Sequence, residues 1–326
     1  DEGEILGVVG ESGCGKSVVG FSIMGLTEPP GRIETGEIRF NGLNLPDLDE
    51  RRMRKIRGKE IAMVFQDPMT SLNPLYTIQD QMEEVMKLHF DMTAEQRNNR
   101  CIELLTEVGI SQPQTRLKNY PHQFSGGMRQ RVIVAIALAS NPKLVIADEP
   151  TTALDVTIQS QILKLMKRLV KEHRTAMILI THDLAVVSEM TDKIMVMYCG
   201  RIMEKGTRDD IINRCRHPYT IGLLGSIPKL ASRQHRLFQI RGMVPNIMNL
   251  PPGCTFAPRC DYVTDDCRQA LPGMTEVSAD HLARCIYARE IETQKRTRKK
   301  RKTILDKSAA PEVEDLGKEL LNFEGL

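Results

Sequence analysis

Residues Gly10 to Ser17 read Gly-Glu-Ser-Gly-Cys-Gly-Lys-Ser, and this octapeptide constrains the chain more than any other stretch. It fits G-x-x-x-x-G-K-[ST], the phosphate-binding loop. Gly10, Gly13 and Gly15 let the backbone turn tightly and bring its N–H groups against phosphate oxygens. Lys16 supplies a point charge for the β- and γ-phosphates, and the Ser17 hydroxyl suits a Mg²⁺ ion. The flanks agree with the motif. Ile5 to Val9 is a short apolar run of the kind found in buried parallel strands, and Ser17 to Met24 reads as a helix whose N-terminus faces the anion. A glycine-rich turn without a ligand is the competing reading, and the strand–loop–helix context argues against it.

A second set of motifs lies at strand ends. Ile61 to Phe65 reads as a strand stopping at Gln66. Ser125 stands as an N-cap before Gly126 and Gly127 and an apolar helix that Pro142 closes. Leu144 to Ala147 is a strand ending in Asp148-Glu149, followed by a loop over Pro150 to Asp155. Ala176 to Ile180 is another strand, ending at Thr181-His182-Asp183. Beside a phosphate loop, Asp148 can hold Mg²⁺ through water and Glu149 can orient an attacking water. His182 belongs at the same carboxyl edge of the sheet, where ligands sit in open α/β folds. Taken singly, each of these is an ordinary strand end.

Between these halves the pattern is helical. Ile78, Met82, Val85, Met86 and Phe90 fall on one face at a 3.6-residue period. Thr93 and Gln96 form a capping box before a second helix with Ile102, Leu105 and Val108 aligned and Gly109 as its stop. Elsewhere Gly36 to Phe40 reads as a strand before an Asn41-Gly42 turn, and Asp49 to Lys59 as a charged, solvated stretch. Ile194 to Tyr198 and Arg201 to Glu204 read as a hairpin about Cys199-Gly200, and His217 opens a helical stretch ending near Leu230.

The 326 residues suffice for two domains. Net charge is +3, but Lys295 to Lys302 holds seven basic residues, so the remainder carries −4 and the chain does not read as a basic nucleic-acid binder. No apolar run approaches the roughly 18 residues of a membrane span. There is no signal-peptide pattern, and the expectation is a cytoplasmic protein attached to a membrane only through partners. The chain opens at Asp1, close before the phosphate loop. A strand of this kind normally lies inside a sheet, so a trimmed N-terminus is expected.

Taken together, these motifs resemble an ABC-type ATPase. Gly10 to Ser17 matches Walker A, Gln66 the Q-loop, Ser125 to Met128 the signature, Leu144 to Glu149 Walker B, Ala153 to Asp155 the D-loop and His182 the switch histidine. All occur in family order over residues 1–205. The signature departs from the family at Met128, where Gln is commonest. The resemblance implies an α/β P-loop ABC ATPase domain (1–205) with a helical insertion at about 75–125. It implies ATP and Mg²⁺ as ligands. The nucleotide set is Gly10, Ser12, Gly13, Cys14, Gly15, Lys16 and Ser17 with Asp148 and Asp155, and Ser17, Gln66 and Asp148 serve the metal. Glu149, His182 and Gln66 are the catalytic group. Ser125, Gly126 and Gly127 complete the site of a second ATPase packed head to tail. An adenine-stacking aromatic is expected upstream of Walker A, before the given sequence starts.

The C-terminal stretch (206–289), with Leu250-Pro251-Pro252-Gly253-Cys254 and Ala257-Pro258-Arg259-Cys260, resembles that of oligopeptide and dipeptide importers. Phe65 to Met69, Gly126 to Met128 and Ala147 to Asp155 add to the likeness and point to the D-type subunit. The resemblance implies an F-type ATPase partner, two transmembrane permease subunits and an external peptide-binding protein, with the chain at the cytoplasmic face of the membrane. A soluble ABC ATPase of DNA repair or translation is the alternative, as is an importer of nickel or glutathione.

Eight cysteines remain. Cys14, Cys101, Cys199 and Cys215 are scattered and suit packing. Cys254, Cys260, Cys267 and Cys285 form a small Cys-containing domain, with gaps of five, six and seventeen residues that match neither zinc pairs nor ferredoxin spacings. Some members of the peptide-importer family carry an iron–sulfur cluster at cysteines so placed. A 4Fe-4S cluster, Zn²⁺ and ordinary thiols therefore all stay open. A helix over Ala279 to Tyr287 is expected to return Cys285 to the other three. The tail, 290–326, reads as a solvated charge run, with anionic lipid headgroups as the sharper alternative.

Overall fold

The computed structural model describes residues 1–67, 71–152, 154–226 and 239–291. The first strand, β1 (Ile5–Val9), runs into the phosphate loop and then helix α1 (Lys16–Met24), which Gly25 ends in the left-handed conformation. A small hairpin, β2 (Arg39–Phe40) and β3 (Leu43–Asn44), turns at Asn41 and Gly42, both at positive φ as a tight hairpin turn requires. The strand expected from Gly36 is thus confined to two residues.

Helix α2 (Glu50–Ile56) replaces the solvated stretch expected at Asp49 to Lys59. Asp49 caps it by accepting from the Arg52 N–H, and Met53 and Ile56, three apart, are buried beneath an otherwise charged surface.

Strand β4 (Ile61–Val64) precedes the helical insertion, α3 (Ile78–His89), α4 (Ala94–Glu107) and the short α5 (Pro113–Arg116). Thr77 with Asp80 and Thr93 with Gln96 form reciprocal capping boxes. Ile78, Met82 and Met86 are buried as the periodicity predicts, whereas Phe90 is exposed. Helix α6 (Gly126–Leu138) follows Ser125, then β5 (Leu144–Asp148), α7 (Val156–Glu172), β6 (Ala176–Thr181), α8 (Leu184–Met190) and the hairpin β7 (Lys193–Tyr198) and β8 (Arg201–Thr207).

One eight-stranded sheet runs in the order β4-β5-β6-β1-β7-β8, continued by two strands from the C-terminal stretch described below. The strands from β4 to β7 are parallel, in register Val8–Ile180 and Val9–Val196, and β8 returns antiparallel to β7. Parallel strands buried on both faces read as apolar runs, which is why Ile5 to Val9 and Leu144 to Ala147 were legible. Their carboxyl ends lie side by side, so the loop after Val9, Gln66, Asp148 and His182 share one rim of the sheet.

The C-terminal stretch adds α9 (Arg208–Asn213), α10 (Pro218–Gly225), α11 (Asp266–Gln269) and a hairpin, β9 (Thr275–Ser278) and β10 (His281–Ala283). The expected helix over Ala279 to Tyr287 is therefore wrong. Asp280 turns at φ 63°, and β10 pairs antiparallel with β8, Leu282 opposite Lys205. The ladder offered by β8 overrides the helical propensity of Ala, Leu and Arg in this stretch. Among the described residues there are three apolar clusters. One lies between sheet and insertion, one under α1 and α2, and the third joins Val9, Tyr198 and Tyr219 to Phe256 and Cys254, Cys267 and Cys285. Each fully buried Ile, Leu or Met contributes about 1.5–3 kcal/mol.

Candidate active site

Close packing shapes the phosphate loop. A Cβ at Gly10 would stand 2.1 Å from the Met197 carbonyl oxygen, so the first loop residue must be glycine. Gly13 and Gly15 take φ values of 77° and 96°, open to glycine at little cost. Lys16 is buried, and its Nζ donates to the carbonyls of Gly10 (2.9 Å) and Glu11 (3.2 Å), which folds the ammonium across the loop. Ser12 and Gly13 are exposed at the loop's crown. Cys14 is fully buried, and burial pushes its thiol up, so only its backbone remains for a ligand. Its carbonyl accepts from the Gly200 N–H at 2.9 Å.

Two further groups sit at the adjacent strand ends. The Ser17 hydroxyl donates to Asp148 Oδ1 at 3.1 Å. Burial raises the Asp148 carboxyl, opposed by that hydrogen bond. Glu149 follows with φ 45°, a conformation costly for a residue with a Cβ, and its N–H is fixed to the Ile180 carbonyl at 2.9 Å. Its carboxylate is the hub of the site. Oε2 accepts from Gln66 Nε2 (3.2 Å) and Thr152 Oγ1 (2.9 Å), and Oε1 lies 3.2 Å from His182 Nδ1. Burial works to raise this carboxyl, but the hydrogen bonds from His182 and Thr152 outweigh it and hold Glu149 below the usual carboxylate range. An ionised, positioned carboxylate beside an anion-binding loop can accept a proton from water.

The structure thus brings Gln66, Glu149 and His182 together and joins Ser17 to Asp148. Ser125, Gly126 and Gly127 stand apart from that group. Ser125 caps α6, accepting from the Met128 N–H at 3.3 Å, and Ser125 and Gly126 are exposed. A Cβ at Gly127 would meet Ile158 Cγ2 at 2.7 Å, which seats α6 closely on α7. Asp155 caps α7 through the Ile158 N–H at 3.0 Å and is exposed. Ala153, Pro68, Met69 and Leu230 lie outside the described residues, as does the tail beyond Ile291.

Three residues at the site have no role that the sequence suggests. Thr152, in the loop over Pro150 to Asp155, holds Glu149. Tyr219 and Arg259 reach Glu11 of the phosphate loop from 208 and 248 residues away. Nothing local in the sequence marks such a contact.

The four clustered cysteines do converge, though by a hairpin rather than a helix. The Cys254 N–H donates to the Cys267 carbonyl at 2.8 Å, and Cys254, Cys267 and Cys285 are buried. Burial above all, with charge on neighbouring groups, pushes the thiols of Cys260 and Cys285 up to about 12. The ligating arrangement expected for Fe–S or Zn²⁺ is not found: among the described residues no three His, Cys, Asp or Glu side chains are grouped to hold a metal. Protonated thiols pack as small apolar groups; Cys254, Cys267 and Cys285 are part of the third core cluster and Cys260 packs against it.

Comparison with known proteins agrees with this geometry. Residues 1–152 match the ABC transporter family, and residues 203–267 match the oligopeptide/dipeptide transporter C-terminal region. The dipeptide transport ATP-binding protein DppD of Escherichia coli (strain K12) is 48% identical over 286 residues, 88% of each chain. The oligopeptide transport ATP-binding protein AppD of Bacillus subtilis (strain 168) is 49% identical over 290 residues, 89% of this chain and 88% of its own. Among solved structures, a dimeric ATP-binding cassette in a post-hydrolysis state with ADP and Pi superposes with a TM-score of 0.56. It is 32% identical and covers 64% of this chain and 87% of its own. The fold is that of an ABC ATPase, and the chain belongs to the family of ATP-binding proteins of oligopeptide and dipeptide ABC transporters.

Proposed function

We propose that this protein is the ATP-hydrolysing subunit that powers import of dipeptides or oligopeptides through a membrane ABC transporter. The observation that carries the catalytic part is Glu149, ionised and held between Gln66, Thr152 and His182 beside the Ser17–Asp148 pair. Lys16 and the loop N–H groups of Gly10 to Ser17 bind the β- and γ-phosphates. Ser17, Gln66 and Asp148 would hold Mg²⁺, which when bound would neutralise charge on those phosphates. Glu149 orients water toward the γ-phosphorus and accepts its proton as the bond to the ADP oxygen breaks. His182 holds the γ-phosphate and keeps Glu149 in place. Residues 1–205 form the cassette, with the helical subdomain at about 75–125. Residues 206–289 form the peptide-importer extension, and 290–326 a charged tail.

Ser125 and Gly126, exposed and remote from the chain's own catalytic group, serve the site of a second cassette in a head-to-tail dimer, an F-type subunit. Asp155 lies at the same contact. A cleft of about 890 Å³ beside α3, where Tyr76, Val85, Leu88 and Ile136 lie among Asp80, Glu84 and Lys87, offers mixed apolar and charged contacts to seat one of two permease subunits. Among the described residues no helix is long and apolar enough to cross a membrane, so attachment at the cytoplasmic face runs through those permeases. An external peptide-binding protein delivers the cargo. The test is reconstitution: the native complex should contain two permeases, and its ATP turnover should rise on adding peptide-loaded binding protein. Stimulation by nickel or glutathione instead would change the cargo, and purification without permeases would overturn the transport role.

What speaks for a 4Fe-4S cluster at Cys254, Cys260, Cys267 and Cys285, with Zn²⁺ as the alternative thiolate-bound metal, is the likeness of their placement to the peptide-importer family, not a ligating group formed among the described residues. Protein prepared without oxygen should be brown and contain iron and sulfide, and Cys260→Ser should bleach it. Stoichiometric zinc would select the alternative, and protein free of both metals would leave ordinary packed thiols.

A further inference from the structure

The second residue of the phosphate loop is held from outside the loop at almost every polar atom it has. The Glu11 carboxylate takes a two-pronged contact from Arg259, Nη1 to Oε2 at 2.6 Å and Nη2 to Oε1 at 3.0 Å. The Glu11 N–H donates to Tyr219 Oη at 2.9 Å, and its carbonyl accepts from Lys16 Nζ at 3.2 Å. Arg259 is itself held by further partners. Its Nε donates to the Arg241 carbonyl at 3.0 Å, Nη1 also reaches Tyr198 Oη at 3.3 Å, and its guanidinium lies 5.8 Å from the Tyr198 ring centre. The Arg259 side chain is only 4% exposed, against 27% for Glu11.

This geometry has a chemical purpose. A carboxylate inside a loop that receives a triphosphate repels its own ligand unless a cation neutralises it and turns it away. A planar guanidinium does both, since its fork fixes the carboxylate's direction as well as its charge. The backbone of Arg259 is in turn set by the cysteine segment. Its N–H donates to the Phe256 carbonyl at 3.0 Å, and Ala257, two residues before it, donates to the Cys254 carbonyl at 2.9 Å. Cys260, one residue on, donates to the Ala257 carbonyl at 3.3 Å. Tyr198, Tyr219 and Phe256 pack ring to ring around the contact, at 4.7–5.4 Å between centres.

We propose that Arg259 is a positioning residue for the phosphate loop, acting through Glu11, so that the C-terminal cysteine segment sets how tightly the site takes MgATP. The inference rests on the reading of the loop as an ATP site. Binding of MgATP to the purified full chain, and its steady-state turnover, test it in Arg259→Met, Arg259→Lys, Glu11→Gln and the double variant Glu11→Gln/Arg259→Met. Arg259→Met leaves the carboxylate unpaired and should raise Kd and KM for MgATP by about tenfold, with kcat changing far less. Arg259→Lys restores charge without the fork and should recover part of that loss. The double variant leaves neither charge unpaired and should return to within about threefold of the parent chain. Should Arg259→Met fail to fold, Arg259→Lys and the double variant decide the matter alone. Tight MgATP binding by the parent chain with unchanged Kd in Arg259→Lys, or a double variant no tighter than that substitution, overturns the inference and spares the ATPase reading. No saturable MgATP binding by the parent chain overturns both.

Discussion

Glu149→Gln lowers steady-state ATP turnover by about 10²–10⁴-fold while leaving MgATP bound. The glutamine amide keeps the size of the carboxylate and part of its hydrogen bonding with Thr152 and His182, so the strand end and its positive-φ turn persist. What it loses is the negative charge and the capacity to take a proton from water. Because hydrolysis stalls after binding, MgATP should also hold two cassettes together for longer, visible by sedimentation as a dimer that forms with ATP and not with ADP. Turnover near that of the parent chain would remove Glu149 from this role and turn attention to Asp148.

The other large effect is at Lys16. Lys16→Met removes the ammonium that lies against the loop carbonyls and faces the phosphates, and should weaken MgATP binding by about 100-fold. Two losses combine. The β- and γ-phosphates forfeit a charge-assisted hydrogen bond, and the carbonyls of Gly10 and Glu11 forfeit their donor, so the loop also loses its internal brace. Calorimetric titration with MgATP measures it. The methionine fills a comparable volume, so the thermal midpoint should move far less than the affinity. Unchanged affinity would mean that phosphate is held by the loop backbone alone.

Much of this site was legible because its parts are local. A strand, a glycine-bearing loop and a helix in sequence force the geometry of Gly10 to Ser17. Gln66, Glu149 and His182 are far apart in the chain, yet each directly follows an apolar strand, and parallel strands in one sheet bring such positions to a common rim. What sequence did not convey depends on partners that only the fold supplies. Arg259 sits in a run whose prolines and cysteines dominate its reading, and its contact with Glu11 needs the third core cluster to form first. The stretch from Ala279 to Tyr287 contains good helix formers, but the open side of β8 decides its conformation. Helix α2 was obscured for the opposite reason. Five of its seven residues are charged, so the two buried ones, Met53 and Ile56, were outvoted by composition.

The docking of β10 on β8 also bears on solubility. A strand with an unpaired flank presents a row of N–H and C=O groups that any other extended chain can join. β8 runs seven residues and would be such a template if the chain were cut shortly after Thr207. The hairpin moves that hazard outward to β9, only four residues long and carrying Glu276 and Ser278 on its exposed side. A short, partly acidic strand is a poor seed for intermolecular pairing. Shortening the protein to the cassette alone would therefore do more than delete a family-specific appendage: it would uncover an aggregation-prone ladder and strip the phosphate loop of its outer support in a single cut.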